Sequence, residues 1–253
     1  MTWLVNTTLF LLLLSMATQA EPVRLANGEW PPYLSEHLKK GGFITHFTDE
    51  AFSASGYEVQ FDYLPWKRGY EEAKIGYFDG SIIWSKNEER AEYFLFSDPI
   101  FELSTSLFQQ VDKHYNINSI EDLAGLQLGG MLSYIYGTEE LKKAGIVEIQ
   151  RNTIPEANFK ILQLGRLDLV LENTDGGGEI VRQMGLAEQI KAHPTTINHR
   201  DYYLIISKNS PRAKELLEAF NRCMAELKAQ GKLQAYRDAS ARGEYKLLKH
   251  DEQ

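Results

Sequence analysis

The sequence predicts an α/β fold in two lobes, each a mostly parallel sheet flanked by helices, with hinge strands between them. Three observations predict it. Strand and helix patterns alternate through the first hundred residues, the same rhythm restarts near residue 119, and a strand followed by a long amphipathic helix returns at the carboxy-terminal end.

In the first unit, Pro22 to Ala26 reads as a short strand with Val23 and Leu25 alternating with Arg24. It runs into Asn27-Gly28-Glu29-Trp30-Pro31-Pro32-Tyr33, where two prolines forbid helix and force an extended turn. After Gly41-Gly42, the apolar residues Ile44, Phe47, Ala51 and Phe52 recur at helical spacing up to Gly56. Val59 and Phe61 alternate as a second strand. A short helix over Tyr70 to Ile75 stops at Gly76, and Gly80 to Trp84 reads as a third strand.

The second unit opens with a helical turn at Ser119 to Leu123 and a strand at Leu126 to Gly130. Helix over Ser133 to Ala144, strand over Val147 to Gln150, helix over Ile154 to Leu164 and strand over Leu167 to Leu171 follow. Gly176-Gly177-Gly178 reads as a tight turn. Tyr202 to Ser207 is a β-rich strand. Pro211 to Gln230 carries Leu216, Leu217, Phe220, Met224 and Leu227 on one face. The chain crosses between units near Ser106 to Gln110 and near Tyr203 to Ser207. Lobe one is therefore expected over residues 21–108 plus 203–253, and lobe two over 109–202.

Composition excludes several classes. Of 253 residues, 43% are hydrophobic and 25% charged, ordinary values for a chain that builds its own core. Cys223 is the sole cysteine, so no disulfide forms within the chain, and a lone thiol is usually a small buried residue. The net charge of −8, with no basic block, argues against nucleic acid as a partner. Met1 to Ala20 is a short apolar segment centred on Leu9 to Leu14, with small residues Thr18 and Ala20 before Glu21. It reads as a cleavable signal peptide without the usual basic start, the other reading being an uncleaved anchor. No later apolar run approaches the roughly 18 residues of a membrane helix.

No two of the six histidines have the spacing of a metal pair on one helix, and neither a Gly-x-Ser-x-Gly elbow nor a phosphate-cradling loop is present. No metal or other cofactor is expected. Arg90 offers a planar fork of donors suited to a carboxylate, five residues after Ser85, which adds a hydroxyl. From composition alone it reads sooner as a solvated charge beside Lys86, Glu88, Glu89 and Glu92. Trp30, Tyr33, Trp66 and Trp84 are candidates to wall a cleft, or to pack a core.

The order of several motifs carries more than any one of them. Trp30-Pro31-Pro32-Tyr33, Phe78-Asp79-Gly80, Ser85 with Arg90, Phe96-Ser97-Asp98-Pro99, Leu123-Ala124-Gly125 and Gly165-Arg166-Leu167-Asp168 follow one another as in the bacterial family 3 solute-binding proteins. The chain resembles these receptors of polar amino-acid ABC importers over nearly its whole mature length. The resemblance implies the type II periplasmic binding protein fold, a periplasmic location, a small polar ligand, an inner-membrane ABC permease as partner, and a monomer. It implies that Ser85 and Arg90 hold a ligand carboxylate and that hinge closure completes the site.

Two positions depart from the family. Where relatives place a Gly-Ser/Thr-Thr at the first helix of lobe two, this chain has Ser133-Tyr134-Ile135. Where they place an Asp for the ligand's ammonium, it has Asn173, an acceptor without charge, with Asp175 and Glu172 as neighbouring acids. An α-amino acid and another small carboxylate are both open as ligand. Some proteins of this fold are periplasmic cyclohexadienyl or arogenate dehydratases, for which Glu172 is the candidate general acid, and others are sensing domains or adaptors of membrane receptors. A binding protein, not an enzyme, is the expectation.

Overall fold

A computed structural model describes residues 21–132, 136, 138, 142–143 and 145–246. Its elements, in order, are β1 (Val23–Asn27), α1 (Phe43–Ala54), β2 (Val59–Tyr63), α2 (Trp66–Lys74), β3 (Gly80–Trp84), α3 (Glu88–Tyr93), β4 (Phe94–Phe96) and β5 (Phe101–Gln110). Then come β6 (Leu128–Met131), β7 (Ile149–Asn152), α4 (Pro155–Gln163), β8 (Leu169–Asn173), α5 (Thr174–Gln183), β9 (Ile190–Ser207), α6 (Ala213–Ala229) and α7 (Lys232–Ala241).

The strand order β2-β1-β3-β9-β5-β8-β6-β7 explains the two lobes. The trio β2-β1-β3 is parallel, and so is β8-β6-β7. Between them, β5 and β9 run antiparallel to each other and to the neighbouring trios, so both long strands pass from one lobe to the other. Leu103 and Leu204 belong to the core of lobe one, while Leu107 and Ile197 belong to that of lobe two.

The apolar periodicity places the lobe-one core as expected. Ile44, Phe47, Ala51 and Phe52 of α1 face Leu216, Phe220 and Met224 of α6, all buried. Each large side chain removed from water there contributes about 1.5–3 kcal/mol. Cys223 is buried on the same face of α6, and its sulfur accepts a hydrogen bond from Ser55 Oγ at 2.9 Å.

Four readings of the sequence differ from the fold. The three glycines after Asp175 lie inside α5, where a Cβ on Gly177 would stand 2.3 Å from the Phe108 ring. Gly177 allows close approach of the helix to β5, and the three do not make a turn. β9 begins twelve residues earlier than the β-rich stretch suggests, because Pro194 sits where the register with β5 shifts and the sheet tolerates its missing N–H. β6 and β8 start two residues late, since Asp168 takes the Gln127 N–H on its side chain at 2.7 Å. The short α3 and the C-terminal α7 carry little apolar periodicity; Asn87 caps α3 by accepting from the Arg90 N–H at 2.8 Å. The expected helix over Ser133 to Ala144 falls mostly outside the described residues.

Candidate functional site

The C-terminal ends of β1 and β3 and the middle of β9 meet around a cavity of about 470 Å³ lined by Glu29, Trp30, Trp66, Ile83, Trp84, Ser85, Arg90 and Tyr202. In open α/β sheets this is the edge where ligands bind. A roomier hollow, about 600 Å³, lies along α1 and the edge strand β2 and includes none of the expected site residues. Position in the sheet, not size, favours the aromatic cavity.

Its walls are rings set edge to face. Trp66 stands at 83° to both Trp30 and Trp84, with centroids 6.4 and 5.5 Å away, and Trp30 meets Tyr202 at 5.6 Å. Trp84 is fixed further by donating its Nε1–H to Ser81 Oγ at 2.7 Å. Arg90 projects from α3. Its Nη1 donates to the Ser85 carbonyl at 2.7 Å and to Ser85 Oγ at 2.8 Å, and its guanidinium lies 4.9 Å from the Trp84 ring centroid. Among the described residues, Nε and Nη2 have no hydrogen-bond partner. A cation with one edge anchored and one face stacked is pre-organised to receive an anion.

Ile83 adds strain. A β-branched residue at φ 64° is costly, yet it sits at the irregular pairing of β3 with β9 that turns Trp84 and Ser85 toward the cavity. Neither Ile83 nor Tyr202 was marked as a site residue by the sequence. Tyr202 becomes a neighbour of Arg90 only through the pairing of β3 with β9.

The expected residues divide sharply. Trp30, Trp66, Trp84, Ser85 and Arg90 come together in one cavity. Tyr33 does not line it: fully buried, it packs behind Trp30 and against Phe43 and Phe101, and its hydroxyl has no hydrogen-bond partner. Burial pushes that phenol well above its ordinary range, reinforced by the nearby Asp175 carboxylate. Ser133 and Tyr134 lie outside the described residues.

On lobe two, Asn173 ends β8 as the residue preceding α5, half-buried. Asp175, in the first turn of α5, accepts from Arg237 of α7 through both oxygens, at 2.8 Å from Nε and 2.7 Å from Nη2. That bidentate pair ties lobe two to the carboxy-terminal segment. Glu172 is only 4% exposed, and burial raises its carboxyl to about 7, against two stabilising hydrogen bonds from Asn173. Among the described residues no group of three or more His, Cys, Asp or Glu side chains is arranged to hold a metal ion. Nor is any described helix long and apolar enough to cross a membrane.

Solved structures with this architecture include the second substrate-binding domain of GlnP from Lactococcus lactis in an open conformation, 16% identical, with a TM-score of 0.69 over 87% of this chain and 97% of that one. The GluR0 ligand-binding core from Nostoc punctiforme, solved with L-glutamate, is 22% identical at a TM-score of 0.61, covering 86% of this chain and 98% of that one. A histidine kinase sensor domain similar to periplasmic binding proteins is 21% identical at 0.63, covering 87% and 96%. At these identities the likeness shows the fold, which is the type II periplasmic binding protein fold. No curated protein sequence matches the chain. The model of the bacterial extracellular solute-binding proteins, family 3, matches residues 25–239, and the chain belongs to that family.

Proposed function

We propose that the protein captures a small carboxylate-bearing solute, an amino acid or a related acid, between lobe one (residues 21–108 and 203–253) and lobe two (109–202). The observation that carries this reading is Arg90, anchored to Ser85 and stacked on Trp84 at the wall of the aromatic cavity. The solute docks its carboxylate on Arg90 and Ser85 and its body among Trp30, Trp66, Trp84 and Tyr202. Lobe two then swings about β5 and β9 to cover it, with Ser133, Tyr134 and Asn173 on the closing side. A ligand holds the closed state only through contacts to both lobes.

Met1 to Ala20 serves as a signal peptide, and the mature protein is a periplasmic monomer that delivers its ligand to an inner-membrane ABC permease. Sequencing the mature amino terminus tests the export step: a start near Glu21 is expected. Asp175 takes its place in the ion pair with Arg237 and contacts the solute only if that pair opens on closure. The test of binding is a thermal-shift screen of amino acids and small carboxylates. A ligand at 100 times its Kd adds about 2.7 kcal/mol of stability.

One observation favours an enzyme as the second reading: Glu172 is a carboxyl poised near 7, the range of a general acid. Its burial and its bonds to Asn173 keep it from direct contact with the cavity, so binding without turnover is the better account. Product formed from prephenate or arogenate would reverse that choice.

A further inference from the structure

Asp175 and Glu179 stand four residues apart on one side of α5, and both meet cations of the carboxy-terminal segment. Arg237 of α7 holds Asp175 at 2.8 and 2.7 Å, and Lys246 lies 3.5 Å from Glu179. That segment is itself fastened to α1 of lobe one. Lys232 pairs with Glu50 at 3.1 Å, the Tyr236 ring stacks on His46 at 4.2 Å, and His46 Nδ1 lies 2.6 Å from the Tyr245 hydroxyl. Two ion pairs therefore join lobe two to lobe one outside the strands β5 and β9.

The surroundings are those of an open form. No residue of β6, β7, β8 or α5 lines the cavity around Arg90. A second cavity, of about 230 Å³, lies between α5 and lobe one, with Pro32, Phe43, Asp175 and Arg237 in its walls. Beside Asp175 stands Tyr33, fully buried, its hydroxyl without a hydrogen-bond partner. A buried hydroxyl left unpaired is costly, so a form in which Asp175 accepts from it has an advantage that this one lacks. The strands between the lobes are irregular where such a shift would bend them. The register of β5 with β9 changes between Leu103 and Thr105, and Asn198 on the opposing stretch sits at φ 52°.

We propose that the Asp175–Arg237 pair, with Glu179–Lys246 beside it, is a latch that holds the unliganded protein open, and that closure hands the Asp175 carboxylate from Arg237 to the Tyr33 hydroxyl. The proposal rests on the reading that lobe two swings about β5 and β9. Arg237 touches no solute in this account. It is a positioning residue that sets how far a solute must pull the equilibrium between open and closed forms.

The experiment measures interlobe distance in the unliganded protein by double electron–electron resonance. Spin labels go on Lys67→Cys and Thr153→Cys, exposed positions in α2 and just after β7, while Cys223 is buried and stays unlabelled. The wild type should give one principal distance. Arg237→Gln should raise the ratio of a shorter distance to that one about tenfold, and Asp175→Asn, which breaks the pair from the other side, should shift it in the same direction. Lys232→Gln, which removes an ion pair inside lobe one, should leave the distance unchanged. Adding Tyr33→Phe to Arg237→Gln should return most of the population to the longer distance. Distances unchanged in both Arg237→Gln and Asp175→Asn, or shifted as far by Lys232→Gln, overturn the latch. A population that stays short after Tyr33→Phe overturns the exchange. No solute is present, so a screen in which no carboxylate binds leaves the latch standing, and a failed latch leaves the Arg90 grip standing.

Discussion

Lobe one and lobe two repeat one scheme, a parallel trio of strands covered by helices, but they present opposite chemistry to the space between them. Lobe one offers a cation in view, Arg90, braced by Ser85 and by a wall of indoles. Lobe two keeps its acids out of view: Glu172 is buried behind Asn173, and Asp175 is committed to Arg237. The first half is ready before the solute comes. Under the proposed function, a site divided this way would separate capture by a preformed anion grip from discrimination on closure.

The comparison is most easily broken through stability against pH. Glu172 has a folded pKa near 7 against an ordinary 4.5, so the native state holds a proton that the unfolded chain has released. Its contribution is full below about 4.5 and is lost as pH rises toward 7, amounting to up to about 3 kcal/mol. Chemical denaturation across that range should show the wild type losing stability relative to Glu172→Gln, a difference in which the opposing contribution of His46 cancels. The grip of lobe one is tested next. Arg90→Ala should weaken binding of a carboxylate solute by about 30-fold, or about 2 kcal/mol, while the melting temperature of the unliganded protein stays nearly unchanged. Isothermal titration calorimetry reads the first and calorimetric melting the second.

The tie between the lobes gives a smaller effect. Asp175→Asn leaves the half-buried Arg237 without its charge partner and should cost about 1.5 kcal/mol in urea unfolding. The smallest expected signal belongs to His46 of lobe one. Burial, helped by the Lys40 ammonium, lowers its pKa from 6.5 to about 4, so the fold keeps it neutral while the unfolded chain takes up a proton. Stability present above 6.5 is lost as pH falls toward 4, opposite in sign to Glu172 over an overlapping range. His46→Gln should remove that contribution, so that melting temperature falls more steeply with rising pH between about 4.5 and about 6.5 than in the wild type.

How much of this was legible in the sequence follows from the range over which each residue acts. The α1 and α6 core reads directly, because Phe47 and Phe220 repeat at the period of their own helices. Ser85 and Arg90 are also a local signal, five residues apart, one just after β3 and the other in the first turns of α3. Tyr202 is not local: only the pairing of β9 with β3, more than a hundred residues apart, sets it beside Arg90, and Ile83 is local but its positive φ is not legible in the sequence. Gly177 of α5 misleads because its reason is the Phe108 ring on another strand. Tyr33 misleads differently, since an aromatic next to Pro31-Pro32 can face the cleft or back it, and only packing decides. Glu172 is visible as a residue, but its burial belongs to the folded sheet.

The central claim is that Arg90 in its aromatic cavity is a carboxylate grip. The most direct test compares wild type and Arg90→Ala in a thermal-shift screen of L-amino acids and small carboxylic acids. The account predicts that at least one carboxylate solute raises the melting temperature of the wild type and fails to do so in the variant at the same concentration. A screen in which no carboxylate shifts the wild type, or in which Arg90→Ala responds as strongly, would contradict it.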